Sequence, residues 1–377
     1  MNNSFVLALS TLVGTIVGAG IFGLPYVISK SGVLPAVFYF LLIGGAVMVL
    51  HLLLGEICLR TNEKHRLIGY SQMYLGGVGK MIVVVSTFFG LIGALLVYII
   101  LGGRFLAIAL TPFFSLSDTT ASFLFWIVLS FFVLQGIQLI ARAEFFMNLL
   151  LLLFGAVIFT FALPHVQSTN FTFIDRNNIF LPYGVILFSL FGWAAIPEIA
   201  DLFKSKKDKR NLDNVIVWTF AIVIAFYLAF SFIIVGVSGQ NTSPNTLDGL
   251  VPFLGQNIVI VGSLFGLVAL ASSFLILGNY LKNSLRYDFK LPYLVSAGIA
   301  VFIPFVVYFA GIRDVISVMG ILGAVLGAVE GVIIILIFKR AKKKGKRTPE
   351  YSLRFPKILL VSVMIILVLG AAAEIFI

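Results

Sequence analysis

Four glycines and a proline fall within twelve residues, Gly14-Thr15-Ile16-Val17-Gly18-Ala19-Gly20-Ile21-Phe22-Gly23-Leu24-Pro25, inside an apolar run from Phe5 to Ile28 that is long enough to cross a bilayer. Such residues interrupt a helix, and peptide groups freed in hydrocarbon are tolerated only where they line a protein cavity or bind something. The run Phe188-Ser189-Leu190-Phe191-Gly192-Trp193-Ala194-Ala195-Ile196-Pro197-Glu198 repeats the anomaly, a glycine centre followed by a proline. The chemistry this pattern offers is binding by main-chain dipoles at the middle of a membrane. Three ionisable side chains interrupt the apolar segments and are candidates to carry a proton, because such groups are costly in a bilayer: His51, Glu330 and Glu198. Glu198 and Glu56 sit near segment ends, where pairing with loop arginines is the competing role, and His51 has the competing role of a hydrogen-bonded packing residue.

The elements that must position these residues are membrane helices. Of 377 residues, 60% are hydrophobic and 11% charged, and the mean hydropathy of +1.12 excludes a soluble fold. Apolar segments of bilayer length are expected near 5–29, 33–59, 81–110, 120–140, 144–164, 180–203, 213–238, 252–281, 292–310, 314–338 and 357–376, eleven in all. With the N-terminus cytoplasmic, the inner loops collect all of the 26 basic residues except Lys30, Arg104, Arg176 and Arg313. That asymmetry predicts N-terminus in and C-terminus out. It also assigns the net charge of +11 to topology and lipid headgroups, so no nucleic-acid partner is expected. Cys58, the single cysteine, cannot form an intrachain disulfide.

Segments 1–5 and 6–10 form two sets of five. An odd number makes the second set enter the membrane from the opposite side, and paired breaks in segments 1 and 6 mark a midplane site between inverted halves. The expected architecture is an all-α polytopic membrane protein with a 5+5 inverted repeat. Its transport core spans 1–338, with repeat one about 5–164 and repeat two about 180–338. Residues 339–377 supply a basic inner loop and an accessory eleventh helix.

The run Gly14–Pro25, the segment end Gly55-Glu56-Ile57-Cys58-Leu59-Arg60, the stretch Leu75-Gly76-Gly77-Val78-Gly79-Lys80 and the pair Pro197-Glu198 resemble the amino acid/auxin permease and aromatic amino acid permease group. That group belongs to the amino acid, polyamine and organocation superfamily, which shares the fold of the bacterial leucine transporter. The resemblance implies that a substrate carboxylate meets the amides of Ala19 and Gly20, and that its ammonium meets the carbonyls of Ile16, Phe188 and Phe191. Half-helix termini suit both charges. Small residues at Gly18, Ala19 and Gly20 allow close approach. Phe22, Phe188, Phe191 and Trp193 cover the site around Ser189, and the Tyr98 hydroxyl is a further carboxylate partner.

The resemblance also implies a sodium site, with Ser272 and Ser273 hydroxyls and the carbonyls of Ala269, Gly14 and Val17 as ligands. Proton coupling is the alternative. The lysine that some proton-coupled relatives carry on segment 5 is missing, since 145–164 contains no Lys, Arg, Asp or Glu, which leaves His51 and Glu330 as carriers. No cofactor beyond a coupling ion is expected. An enzyme is not expected: three histidines and one cysteine form no metal or nucleophile constellation. The expected function is a permease of the cell membrane importing a small neutral or aromatic amino acid; a transporter-like sensor is a third reading. Oligomeric state stays open, with a monomer sufficient.

Overall fold

The computed structural model describes residues 3–63, 65–135, 137–203, 205–287, 289–345 and 347–376. Lys64, Lys204 and Lys346, counted above on the inner face, lie outside the described residues, as do the side chains of Arg142 and Lys207. Sixteen α-helices follow one another. They are α1 (Asn3–Ile16), α2 (Gly20–Ser31), α3 (Val33–Arg60), α4 (Leu67–Leu75), α5 (Gly77–Leu110), α6 (Asp118–Gln135), α7 (Ile137–Ala162), α8 (Leu181–Ser189) and α9 (Ile196–Leu202). Then come α10 (Lys206–Lys209), α11 (Leu212–Ser238), α12 (Val251–Tyr287), α13 (Tyr293–Phe309), α14 (Val315–Ile321), α15 (Gly327–Lys344) and α16 (Lys357–Phe376). Among the described residues, eight spans are long and apolar enough to cross a bilayer, and the bent α1–α2 pair makes a ninth. The apolar α7 and α13 take the two remaining places of the expected eleven.

Both breaks are present. The axes of the two halves of span 1 differ by 54°. Span 6 divides into α8 and α9 around a single 3-10 turn, Trp193–Ala195. Each half of span 6 opens with a proline in its first turn, Pro182 and Pro197, where the missing N–H would have had no helical acceptor. The glycine thus ends one half-helix and the proline starts the next.

Several boundaries differ from the sequence reading. The stretch after Arg66, expected as loop, forms α4; it packs on α5 and α15, burying Leu67, Ile68 and Tyr70, a tertiary gain that hydropathy over a long window misses. Helix α7 already starts at Ile137, so the connection expected at 141–143 is helical. Span 10 contains a π-helical turn at Leu322–Leu326 and continues to Lys344, so Lys342, Lys343 and Lys344 complement a helix C-terminus instead of lying in a loop.

The spans segregate into two packed groups. Helices α5, α6, α12 and α13 pack on one another, while α1, α2, α3, α8, α9 and α11 form the other group with the breaks at its centre. At that centre the fully buried Tyr227 of α11 directs its hydroxyl to Ile16 O at 2.8 Å and Ser189 O at 3.0 Å, one carbonyl from each break. Helix α16 packs on α15 and α8, and Tyr183 of α8 donates to Ile366 O at 3.1 Å.

Tyr227→Phe keeps the ring and removes the bridge, leaving two buried carbonyls short of a donor. The expected cost is about 1–3 kcal/mol, seen as a lower melting temperature of the purified protein in detergent; an unchanged Tm would show that the bridge carries no weight.

Candidate functional site

Helix α1 stops at Ile16 because the next turn is Val17-Gly18-Ala19-Gly20, and the amides of Gly18, Ala19 and Gly20 make no backbone hydrogen bond among the described residues. In span 6 the same holds for the amides of Gly192, Trp193 and Ala194. The two breaks touch. A Cβ added at Gly20 would lie 2.5 Å from Ser189 Cα, so glycine there permits backbone contact between the halves instead of leaving room for a ligand. Gly18 is different: its Cβ would lie 2.7 Å from Ser273 Oγ and 3.2 Å from Tyr98 Oη, so α5, α12 and the first break converge on one point.

Below the breaks lies a cavity of about 90 Å³, open on one side and walled mainly by apolar groups. Of the residues expected to bind substrate, Ile16, Gly18, Ala19, Gly20, Tyr98, Phe188, Ser189, Phe191 and Trp193 line it. Phe22 does not. It packs edge-on against Phe105 at 4.6 Å, Phe265 at 5.8 Å and Phe230 at 6.3 Å between ring centroids. These rings sit from about half a turn to about two turns away from Gly20, Tyr98, Ser273 and Tyr227 along their helices, and they close the side of the breaks opposite the cavity. Above them Arg104 pairs with Asp248 at 2.9 Å and Asp118 at 3.1 Å, fastening the loop after α11. The cavity instead runs toward the end of the bundle marked by Leu54, Leu67, Pro197 and Tyr280, where Arg66 and Glu198 form an ion pair.

The expected carbonyls are not equally available. Ile16 O accepts from Tyr227, and Phe188 O from the Phe191 amide at 3.2 Å, whereas Phe191 O has no backbone partner among the described residues. A carbonyl oxygen has two lone pairs, so a cation can still approach the first two. The expected ion ligands Gly14, Val17, Ala269, Ser272 and Ser273 are buried on α1, its break and α12, helices that pack together. The Ser272 hydroxyl is buried without a hydrogen-bond partner among the described residues, as are those of Ser71, Ser130, Thr219, Ser231 and Ser284, while the Ser273 hydroxyl lies beside that of Tyr98. Membrane serines commonly satisfy themselves on the preceding turn, and here Ser10, Thr15 and Ser238 do so. Hydroxyls and carbonyls of this kind are the oxygen donors that a hard cation takes.

Glu330 faces the cavity from α15, just after the π-helical turn. Its Oε1 accepts from Thr87 Oγ1 at 2.8 Å and Ser86 Oγ at 3.3 Å, and its Oε2 from Trp193 Nε1 at 2.6 Å. No basic side chain pairs with it among the described residues. His51 is placed behind the second break and away from the cavity wall. Its Nδ1 lies 2.8 Å from Val47 O, an acceptor, so Nδ1 carries the hydrogen; Nε2 is orphaned beside Gly192. The Trp193 ring stands between His51, 5.9 Å away, and Glu330. Glu56 is held by Arg60 at 2.6 Å and by the Leu353 amide, the structural pairing expected for segment-end carboxylates. Tyr227, Thr87 and Ser86 escaped the sequence reading, since isolated hydroxyls in apolar helices carry no pattern.

Two broken helices that meet at their interruptions beside a largely apolar cavity have the arrangement of the inverted-repeat transporter fold. The fold is seen in the crystal structure titled "MhsT in complex with L-phenylalanine", which superposes with a TM-score of 0.68 over 100% of this chain and 98% of that one at 16% identity. A family model matches residues 1–374, and the chain belongs to the tryptophan/tyrosine permease family. "Glutamine transporter 2" of Aliivibrio fischeri is 25% identical over 84% of this chain and 83% of its own length. "Amino acid transporter AVT1H" of Arabidopsis thaliana is 27% identical over 61% and 55%.

Gly18→Ala would drive a methyl group into Ser273 and Tyr98. Amino acid affinity should fall at least tenfold at normal expression, whereas Gly20→Leu should lower the amount of folded protein as well, because it forces the breaks apart. Titration of purified protein with labelled amino acid, beside a folded-protein assay, separates the two; full affinity in Gly18→Ala would remove this point from the site.

Proposed function

We propose that the chain is a secondary active transporter that imports a neutral or aromatic amino acid by alternating access, coupled to sodium. The observation that carries this reading is the cavity at two touching breaks, open on one side and shut on the other by Phe22, Phe105, Phe230 and Phe265. In this reading the amides of Ala19 and Gly20, with the Tyr98 hydroxyl, take the carboxylate, and the carbonyls of Ile16, Phe188 and Phe191 take the ammonium. The wall near Leu91, Leu322, Leu326, Phe188 and Phe191 suits an uncharged side chain, in keeping with relatives whose names or titles mention glutamine and phenylalanine. The core is 1–338, the N-terminus and the basic loops face the cytoplasm, and the cavity opens inward.

Sodium is held by Ser272 and Ser273 with the carbonyls of Gly14, Val17 and Ala269; the placement of these residues on helices that pack together supports that assignment. Each lost ligand to a charge is worth about 1.5–3 kcal/mol. The double change Ser272→Ala with Ser273→Ala should therefore weaken sodium at least tenfold, and substrate affinity should lose its sodium dependence by linkage. Uptake into proteoliposomes under separate sodium and pH gradients checks it. Uptake that ignores sodium and follows pH supports the second reading, proton coupling. The observation favouring that reading is the Glu330 carboxyl lining the cavity with hydroxyl and indole donors for partners. Glu330→Gln should then abolish the pH-driven component.

Alternating access makes a further demand. In a Cys58→Ser background, a cysteine at Leu277 in the cavity wall should react with a membrane-impermeant thiol reagent from the cytoplasmic face, and substrate should protect it. A cysteine at Phe265 should gain reactivity from outside only under conditions that open the outer side. Reactivity of both positions from both faces at once would argue for a channel.

A further inference from the structure

We infer that the inner loop 347–356 is a strap that holds the cavity open to the cytoplasm, with Tyr351 and Leu353 as positioning residues for the inner end of α3. The inference rests on the alternating-access reading and adds a device that reading does not use.

The loop leaves α15 at Lys344 and enters α16 at Lys357. Between them it turns inward onto α3. Tyr351 is buried, and its hydroxyl donates to Leu52 O at 2.7 Å. The Leu353 amide donates to Glu56 Oε2 at 2.6 Å, and Arg60 Nη2 donates to Ser352 Oγ at 3.1 Å. Gly55 is the seat of the tyrosine. A Cβ added there would overlap the Tyr351 hydroxyl and stand 3.4 Å from Ile216 and Leu212 of α11. Tyr351 thus occupies a notch between α3 and α11 that exists because residue 55 carries no side chain.

Polar chemistry fastens the loop as well as packing. Glu56 is fully buried, and a buried carboxylate is costly without donors. Its own helix supplies one, Arg60 at 2.6 Å. The loop supplies the Leu353 amide, so the acid and the strap satisfy each other. Leu52 O has a second lone pair, and Tyr351 takes it.

The strap grips α3 where it borders the cavity. Leu52 and Glu56 flank Leu54, a residue of the cavity wall, and the preceding His51 stands beside Gly192 of the second break. The far end of the strap is fixed to other elements. Lys342 of α15 donates to Leu353 O, and Arg340 donates at 3.1 Å to Tyr74 O of α4, which packs on α5. The strap therefore joins α3, in the break-bearing group, to a helix tied through α4 to the other group. When α3 swings against α5, notch and anchor separate, so these bonds belong to the state open to the cytoplasm. A contact made in one of two states shifts their balance by its own strength.

The test measures labelling of Leu277→Cys from the cytoplasmic face and of Phe265→Cys from the outer face by a membrane-impermeant thiol reagent. It uses the full chain carrying Cys58→Ser, with and without Tyr351→Phe or Gly55→Ala. Releasing the strap should slow Leu277→Cys at least threefold and speed Phe265→Cys at least threefold. Gly55→Ala reaches the same contact from the other element, and Tyr351→Phe decides by itself should Gly55→Ala fold poorly. A lowered Tm with both rates unchanged, or both rates rising together as in a loosened fold, would overturn the strap and leave transport standing. Failure of Leu277→Cys to react from the cytoplasmic face with the strap intact would overturn the inward-open reading and the strap together.

Discussion

A peptide group without a hydrogen-bond partner is the costliest thing a chain can place in hydrocarbon, and spans 1 and 6 each carry several. Everything around them reads as a response to that cost. Tyr227 reaches from α11 to one carbonyl of each break, so a single buried hydroxyl both satisfies the freed backbone and fastens the two interruptions together. The contact between Gly20 and Ser189 brings the same two segments to backbone distance. The amides left over, at Gly18 to Gly20 and at Gly192 to Ala194, belong to residues that line the cavity.

Closure follows from packing on either side of this pair. Four phenylalanines from α2, α5, α11 and α12 fill the space on one side of the breaks. The loop above them is tied down by Arg104 to Asp248 and by Thr246, whose hydroxyl donates to Phe22 O. On the other side Arg66 and Glu198 link the start of α4 to α9 beside the cavity mouth. Each tie joins an element of the break-bearing group to something outside it. The rocking motion of the proposed alternating access would exchange these contacts, and the exposed ion pairs are cheap to exchange, whereas the aromatic cluster is not.

Three polar features inside the bilayer stand out because local structure does not use them up. Ser272 and Ser273 do not bond back to the preceding turn of their helix, and Glu330 is a carboxyl surrounded by neutral donors. Ser273 lies against Gly18 of the first break, and Glu330 is tied to Trp193 of the second.

The number of spans, the two breaks, their equivalence between halves and the bias of basic residues were legible from hydropathy, glycine and proline alone, because a bilayer allows few alternatives to a helix and makes each exception visible. Family membership followed from the same residues, and nine of the ten expected substrate contacts line the cavity. Other features were decided only by tertiary structure. Phe22 looked like a cover for the site and is a plug beyond it, since its helix rotation depends on the 54° bend. His51 and Glu330 looked equivalent as isolated ionisable residues; packing turned one toward Val47 and the other toward the cavity. Helix α4 and the Tyr227 bridge are invisible to a hydropathy window of bilayer length, because a nine-residue helix and a single hydroxyl owe their places to partners far away in the chain. Sequence patterns report the solvent each segment meets, while the contacts that make a site depend on which helices become neighbours and how each is turned.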